Sequence, residues 1–480
     1  MKCLVKITII SLLLAGLSNR STADELNLPD LGGAGSSGIT ALDEYRTGAS
    51  VLRNIRRAGM VVDDPILTDY LNEIGYRLLA NHDHGGTKFT FFLVNDAAIN
   101  AFALPGGFIG INYGLFTQTD SESELASVFA HEIAHVTQRH YARAFDVGPT
   151  SSLPILAALI AAIVLGGDNG NVASAALATV AASQASKQIN FTRHNEQEAD
   201  RIGIQVLSDS GFNPERMATF FEKLERQSRT YGIEIPEFLR THPVSISRIS
   251  DAQGRARHLP KVKDNDSISY QLMRQRIIAL ANHDKKSNVS QYEEDLQKKQ
   301  GLELDATRYG YVLSLLRIGK TEKAREQINI LLEAYPIRIA FLLAQAEVEI
   351  EAKKPERAVK IYQHALKLYP NNESIMHDFI KLLVEQKQFQ LVLTTLDTFL
   401  KKTPRNPVFY RYLAKSRAAL NQQGGSHEAL AEYYYQIGQF HQAVNHITIA
   451  LKSSKDNFYA SSRLEAKLKH IQEEIPNPSH

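Results

Sequence analysis

Cysteine is all but missing from this chain. The only one, Cys3, sits among the first residues, so the body of the protein cannot build a disulfide. Stability must come from something other than cross-links, packing above all. Charge of one sign is lacking as well: 54 basic residues face 52 acidic ones, a net charge of +2. Nothing in that balance argues for a nucleic-acid partner. A membrane-spanning run is also absent. Ile7 to Leu17 is apolar but too short to cross a bilayer comfortably.

That stretch has another reading. Lys2 and Lys6 precede it and Ser21-Thr22-Ala23 follow it, which is the layout of a secretory signal peptide over residues 1–23. Cleavage is expected after Ala23, which would send the mature protein to an oxidising compartment. Cys3 would leave with the leader and does not occupy a lipoprotein cleavage position. Lys2, Lys6 and Arg20 would leave too, with no acidic residue, so the net charge moves from +2 to −1. Residues 24–39, rich in Gly, Ser and Pro, read as a disordered leader.

What the chain does have is a histidine pair on an apolar helix. In Ser127-Val128-Phe129-Ala130-His131-Glu132-Ile133-Ala134-His135-Val136, His131 and His135 are four apart and share one helix face. They can point two imidazoles at one metal ion, with Glu132 beside them as general base, the arrangement of zinc peptidases. The pattern alone is only moderately specific, and a catalytic zinc needs a third protein ligand. Glu196, in Phe191-Thr192-Arg193-His194-Asn195-Glu196-Gln197-Glu198-Ala199-Asp200, would supply it. Asp200, one turn on, could fix the tautomer of a zinc histidine. Glu198 fits a water-facing acidic surface. His140 is a rival ligand, but on a continuing helix it would point about 180° away from His131; it reads as a surface histidine.

The remaining organisation is helical with one small sheet. Helices are expected from Leu42 and after Asp64-Pro65, a strand over Lys88 to Val94, and strands over Ile99 to Leu104 and Phe108 to Asn112 joined by Pro105-Gly106-Gly107. Pro154 to Leu165 and Val172 to Ala185 form an alanine-rich apolar helical hairpin, each arm too short to span a membrane. It is either a buried pair or a lid over the zinc cleft that touches a membrane surface or an unfolded client. Further on, Pro336, Pro370 and Pro404 recur every 34 residues, as do Ala324 and Ala358, and Leu332, Leu366 and Leu400. Thirty-four is the tetratricopeptide period, and such stacks offer a concave face to extended segments or partner proteins. After Pro404 the phase is expected to slip. Tyr433-Tyr434-Tyr435 belongs to that face or to packing.

His131-Glu132-x-x-His135 with Glu196-x-x-x-Asp200 resembles the gluzincin family of the CAAX prenyl proteases and their soluble bacterial relatives. Asn100-Ala101-Phe102-Ala103-Leu104-Pro105-Gly106-Gly107 is similar to that family's strand and turn ahead of the zinc helix. Thr241-His242-Pro243 followed by Arg248 is similar to its late His-Pro segment. The resemblance covers the chain from about Leu42 to the C-terminus. It implies one zinc per chain on His131, His135 and Glu196, with Glu132 as base and His242 as a regulatory extra ligand. It also points to Asn100, Ala101, Phe102 and Ala103 as an edge strand that pairs with extended substrate, unless this is an ordinary sheet strand. His242 otherwise reads as a capping or core histidine. Arg248 would face the developing oxyanion or anchor the segment.

The fold expected is mainly α with a small β-sheet: a zincin-like metallopeptidase domain over 40–262, an α-solenoid of tetratricopeptide repeats over 263–475, and a disordered tail at 476–480. The function that the resemblance implies is a zinc metalloendopeptidase with chaperone-like activity, expected in the periplasm or peripheral to the outer membrane, that promotes outer-membrane β-barrel assembly and degrades misassembled envelope proteins. Its partners, reached through the repeats, would be outer-membrane β-barrel proteins and their assembly machinery. The alternative is a repeat-based chaperone or adaptor whose zinc site is structural or regulatory. Family members of the same layout carry a cysteine pair in the repeats; its absence here puts redox control of domain docking in doubt.

Overall fold

A computed structural model describes residues 40–146, 185–231, 237–264, 266–281, 284–402, 406–454, 457–473 and 475. The expected signal peptide, leader and C-terminal tail fall outside these residues, as does the apolar hairpin up to residue 184. Among the described residues no helix is long and apolar enough to cross a membrane.

Helix α1 (Ala41–Arg57) opens on a capping box between Thr40 and Asp43. Helix α2 (Pro65–Leu79) has Asp64 as N-cap and proline in its first turn. Three strands follow: β1 (Thr90–Val94), β2 (Ala101–Leu104) and β3 (Phe108–Asn112). The order β1-β3-β2 puts β3 in the centre. β2 and β3 form an antiparallel hairpin, and Gly106 and Gly107 turn it at φ of 75° and 91°, values that only glycine adopts freely. β1 lies parallel to β3, with Phe91 opposite Ile109. Among the described residues no strand pairs with the outer edge of β2.

Helices α3 (Tyr113–Gln118) and α4 (Glu122–Thr137) come next, then α5 (His140–Asp146). α4 starts at the N-cap Ser121, which accepts from the Glu124 amide, and it is buried from Glu122 through His135. Burial on all sides fixes its rotation. α6 (Ala185–Asp209), α7 (Glu215–Tyr231), α8 (Glu237–Thr241) and α9 (Ile246–Ala256) complete this half. Gly203 lets α6 approach α4: a Cβ there would stand 3.2 Å from the Ala130 carbonyl carbon and the His131 nitrogen.

The second half is a stack of antiparallel helix pairs: α10 (Ile268–Ala281), α11 (Lys285–Lys298), α12 (Gly301–Arg317), α13 (Thr321–Ala334), α14 (Ile339–Glu351), α15 (Pro355–Leu368), α16 (Glu373–Glu385), α17 (Phe389–Phe399), α18 (Pro407–Ala419), α19 (Gln423–Gln436), α20 (Phe440–Lys452) and α21 (Phe458–Glu473). The sequence predicts a loss of phase after Pro404, and the structure corrects this. Second helices begin at Thr321, Pro355, Phe389 and Gln423, so the period continues through α19. Its marker there is backbone: Gly319, Lys353, Lys387 and Asn421 adopt φ of 73°, 60°, 58° and 59° between the helices of each pair. The slip comes one helix later, where α20 starts at Phe440. Tyr434 stacks on His446 with an interplanar angle of 5° and the Tyr435 hydroxyl meets His470 at 3.0 Å, so the tyrosine run serves packing.

Polar contacts join the two halves. Arg276 donates from Nε to Asp64 at 2.8 Å and from Nη1 to the Tyr309 hydroxyl at 3.0 Å. Asp69 accepts from the Ser374 hydroxyl and from Asn372 Nδ2. At the start of α4, Glu122 accepts from the Ser267 hydroxyl at 2.8 Å while its own amide donates to Asp266 at 2.8 Å. The segment that leads into α10 therefore holds the start of the helix that carries the histidine pair.

Candidate metal centre

Residues from three places in the chain converge. α4 contributes His131, Glu132 and His135, α6 contributes Glu196 and Asp200, and the turn between α8 and α9 contributes His242. His131 Nε2 lies 3.1 Å from His135 Nε2 and 3.3 Å from His242 Nδ1. Glu196 reaches all three: Oε2 is 3.3 Å from His131 Nε2, Oε1 is 3.3 Å from His135 Nε2, and both oxygens are 3.0–3.1 Å from His242 Nδ1. Each residue offers one ligand atom, all within 4.8 Å of one another. His131 is 1% exposed, Glu196 3%, His135 7% and His242 8%.

The charge also fits a metal. Glu132, Glu196 and Asp200 are buried carboxylates with one guanidinium, Arg248, among them. With the imidazoles neutral, as metal ligands must be, two negative charges remain, which one divalent cation would balance. Such a group is costly to bury unless a cation joins it. Neither oxygen of Glu132 has a hydrogen-bond partner; its nearest polar neighbour is His242 Nε2, 3.5 Å from Oε1. Glu132 therefore carries a carboxylate into the interior without being used by the fold.

The titration of the cluster follows. Burial disfavours a charged His131, but the carboxylates of Asp200 and Glu196 outweigh it and raise the imidazole to about 10. Its Nδ1 is 3.0 Å from Asp200 Oδ1, a charge contact off the line of a hydrogen bond. Burial pushes the Glu196 carboxyl up, yet the His242, His135 and His131 imidazoles hold it well below the usual carboxylate range. Asp200 is likewise lowered against burial, chiefly by Arg248. His135 is lowered, with burial the main cause.

Arg248 enters the interior from the first turn of α9, whose N-cap is Ser245. It donates to Asp200 from Nε at 2.6 Å and from Nη2 at 2.8 Å, and from Nη1 to the Pro243 carbonyl at 2.8 Å. Nη1 is also 2.9 Å from Glu196 Oε2. Of its two readings this geometry favours the anchor, because the donors are engaged with carboxylates and the His-Pro turn. The Ala101 strand lies at the sheet edge beside α4. Its side chains at Ala101, Phe102 and Ala103 are buried, Asn100 just precedes the strand with Oδ1 unpartnered, and the Phe238 amide donates to the Ile99 carbonyl at 3.1 Å.

Two expectations are overturned. His140 is not at the surface; it is 4% exposed, with Nδ1 2.9 Å from His135 Nδ1. α4 stops at Thr137, and Arg139 takes a left-handed φ of 51° that starts α5 in a new direction. The 180° offset from His131 holds only on one unbroken helix. Burial pushes His140 down to about 4. Glu198 is not a free acidic surface either: it pairs with His140 Nε2 at 3.1 Å and Arg143 Nη2 at 2.6 Å. No single-residue pattern announces either contact, since both depend on the turn at Arg139.

A profile described as "Peptidase family M48" matches residues 65–256, and one described as "Psidin, N-terminal TPR repeats region" matches residues 278–414. Fold and site thus define a metallopeptidase joined to tetratricopeptide-like repeats. The Beta-barrel assembly-enhancing protease of Escherichia coli (strain K12) is 32% identical over 467 residues, 97% of this chain and 96% of that one. The protein of the same name from Yersinia pestis is 33% identical over 446 residues, 93% of this chain and 91% of that one. The chain belongs to the family of these beta-barrel assembly-enhancing proteases. The Mitochondrial metalloendopeptidase OMA1 of Saccharomyces cerevisiae (strain ATCC 204508 / S288c) is 33% identical over 184 residues, 37% of this chain and 49% of that protein.

Proposed function

We propose that this protein is a zinc endopeptidase of the periplasm that acts on proteins of the outer-membrane β-barrel assembly route. The observation that carries the reading is the convergence of His131 Nε2, His135 Nε2, Glu196 and His242 Nδ1, whose neighbouring contacts are 3.0–3.3 Å and whose ligand atoms all lie within 4.8 Å of one another. Tetrahedral zinc at its usual bond lengths spaces its ligand atoms about 3.3 Å apart, and imidazole with carboxylate is a donor set it favours. The periplasmic setting rests on the basic, apolar and small-residue segments of residues 1–23. The client class rests on the names of the relatives and on the repeat stack.

Zinc held by His131, His135 and Glu196 would supply Lewis acidity for a peptide carbonyl and bring the ionisation of water near neutral pH. Glu132 is the base: its buried oxygens take a proton from water and return it to the departing amine. Asp200 orients His131 from behind, and Arg248 holds Asp200 and Glu196 in place. An extended substrate adds to the free edge of β2 through main-chain hydrogen bonds. His242 would join His131, His135 and Glu196 in holding the metal in the resting enzyme, and substrate or a partner would have to move it aside.

A second reading, an adaptor with a structural or regulatory zinc, draws on that same fourth ligand, because closed four-ligand sites are structural as a rule. The discriminating experiment pairs zinc analysis with casein digestion for wild type and Glu132→Gln. Both proteins should hold one zinc and only the wild type should cut. A wild type that binds no zinc, or a Glu132→Gln variant that digests casein as fast, would sink the peptidase reading.

A further inference from the structure

His135 is engaged on both sides of its ring. Nε2 faces the cluster, 3.1 Å from His131 Nε2, while Nδ1 meets His140 Nδ1 at 2.9 Å. The other nitrogen of His140 lies 3.1 Å from Glu198 Oε2, which Arg143 Nη2 also contacts at 2.6 Å. An ionised carboxylate can only accept, so His140 Nε2 carries the hydrogen, and Nδ1 of a neutral imidazole is then bare. Two bare nitrogens do not bond at such a distance. His135 Nδ1 must therefore donate, which leaves the lone pair of His135 Nε2 aimed into the cluster. One proton arrangement satisfies the whole chain Glu198–His140–His135, and it is the arrangement that makes His135 a ligand.

We propose that His140 and Glu198 are positioning residues that lock the tautomer and ring orientation of His135 for metal binding. This rests on the reading of His135 as a ligand. Each histidine of α4 then faces a carboxylate from outside the site, His131 that of Asp200 in a charge contact at 3.0 Å and His135 that of Glu198 through a second, hydrogen-bonded imidazole. The left-handed Arg139 is what turns His140 back onto His135.

The test is Zn2+ affinity of the full-length protein, measured by competition with a chromophoric chelator. His140→Phe fills the same space but offers no acceptor; it should bind Zn2+ about 10–100-fold more weakly. His140→Asn packs less well but its Oδ1 stands near the old Nδ1, so affinity should stay within about threefold of wild type. A packing role would give the reverse order. Equal affinity of His140→Phe and wild type overturns the proposal, as does an equal loss in both variants. Should His140→Phe fail to fold, Glu198→Ala decides: a weaker Zn2+ affinity supports the relay, an unchanged one overturns it. His135→Ala is the control for the reading beneath, since unimpaired Zn2+ binding there would remove His135 as a ligand.

Discussion

Arg248 grips Asp200 with two parallel hydrogen bonds, 2.6 Å from Nε and 2.8 Å from Nη2, with both side chains 4% exposed. The same guanidinium touches Glu196, so removing it strands two carboxylates in the interior. Breaking a buried pair from one side costs about 3–5 kcal/mol. Arg248→Met should lose stability on that scale in chelator-treated protein, read from urea unfolding. Added zinc should restore part of the loss, because a divalent cation compensates the same charges. Arg248→Lys should fall between, since a point charge cannot reproduce the fork. If Arg248→Met unfolds at the wild-type midpoint without metal, the clamp contributes nothing.

His242 belongs to the cluster that could hold a metal and also lies beside the proposed base, 3.0 Å from Glu196 Oε1 and 3.5 Å from Glu132 Oε1. A side chain there excludes water from between metal site and base. His242→Ala should therefore raise casein turnover, by about 5–150-fold if the cap is coupled to activity as strongly as typical regulatory contacts are. Zinc should still bind through the remaining three ligands. Lower or unchanged turnover at full zinc occupancy would count against the capped resting state.

How much of this could be seen beforehand divides cleanly by the kind of interaction. The i/i+4 spacings of His131 with His135 and of Glu196 with Asp200 depend only on helix geometry, and both helices formed as the spacing required. Contacts that depend on where a helix stops were hidden. Val136-Thr137-Gln138-Arg139 contains no glycine or proline to announce the left-handed turn at Arg139, so the spacing alone places His140 and Glu198 at the surface. The parallel pairing of β1 with β3 was equally invisible, because alternation within a strand carries no information on direction. Pro336, Pro370 and Pro404 revealed the repeats, but the backbone marker that persists to Asn421 changes residue type at almost every step.

Asp69 gives a pH dependence located at the contact between the two halves. Burial raises its carboxyl above the ordinary 3.8, with Glu373 and Asp64 adding to the shift and the Ser374 and Asn372 hydrogen bonds opposing it. A raised carboxyl holds its proton more tightly folded than unfolded. Its contribution to stability is thus fully present below 3.8 and is lost as pH rises through the higher folded value. Asp69→Asn keeps an acceptor for Ser374 and removes the charge. It should be more stable than wild type at neutral pH, and the advantage should shrink as pH falls toward 3.8. Urea unfolding of both proteins across that range checks it; a gap that is constant with pH would exclude Asp69 as the titrating group.

The left-handed turn that repeats through Gly319, Lys353, Lys387 and Asn421 makes a final, purely conformational prediction. A Cβ at Gly319 would meet nothing within 4 Å, so Gly319→Ala adds no clash and tests the backbone alone. At a φ of 73° the added Cβ should cost about 1 kcal/mol. Lys387 already bears that strain at a φ of 58°. Lys387→Gly should relieve it, offset by the larger unfolded-state entropy of glycine, for a net change of about 0–0.5 kcal/mol in favour of the fold. The two substitutions should move the urea midpoint in opposite directions at constant slope. A Gly319→Ala midpoint equal to wild type would mean that the turn is not held in this conformation in solution, and the 34-residue register of the stack would then rest on its side chains alone.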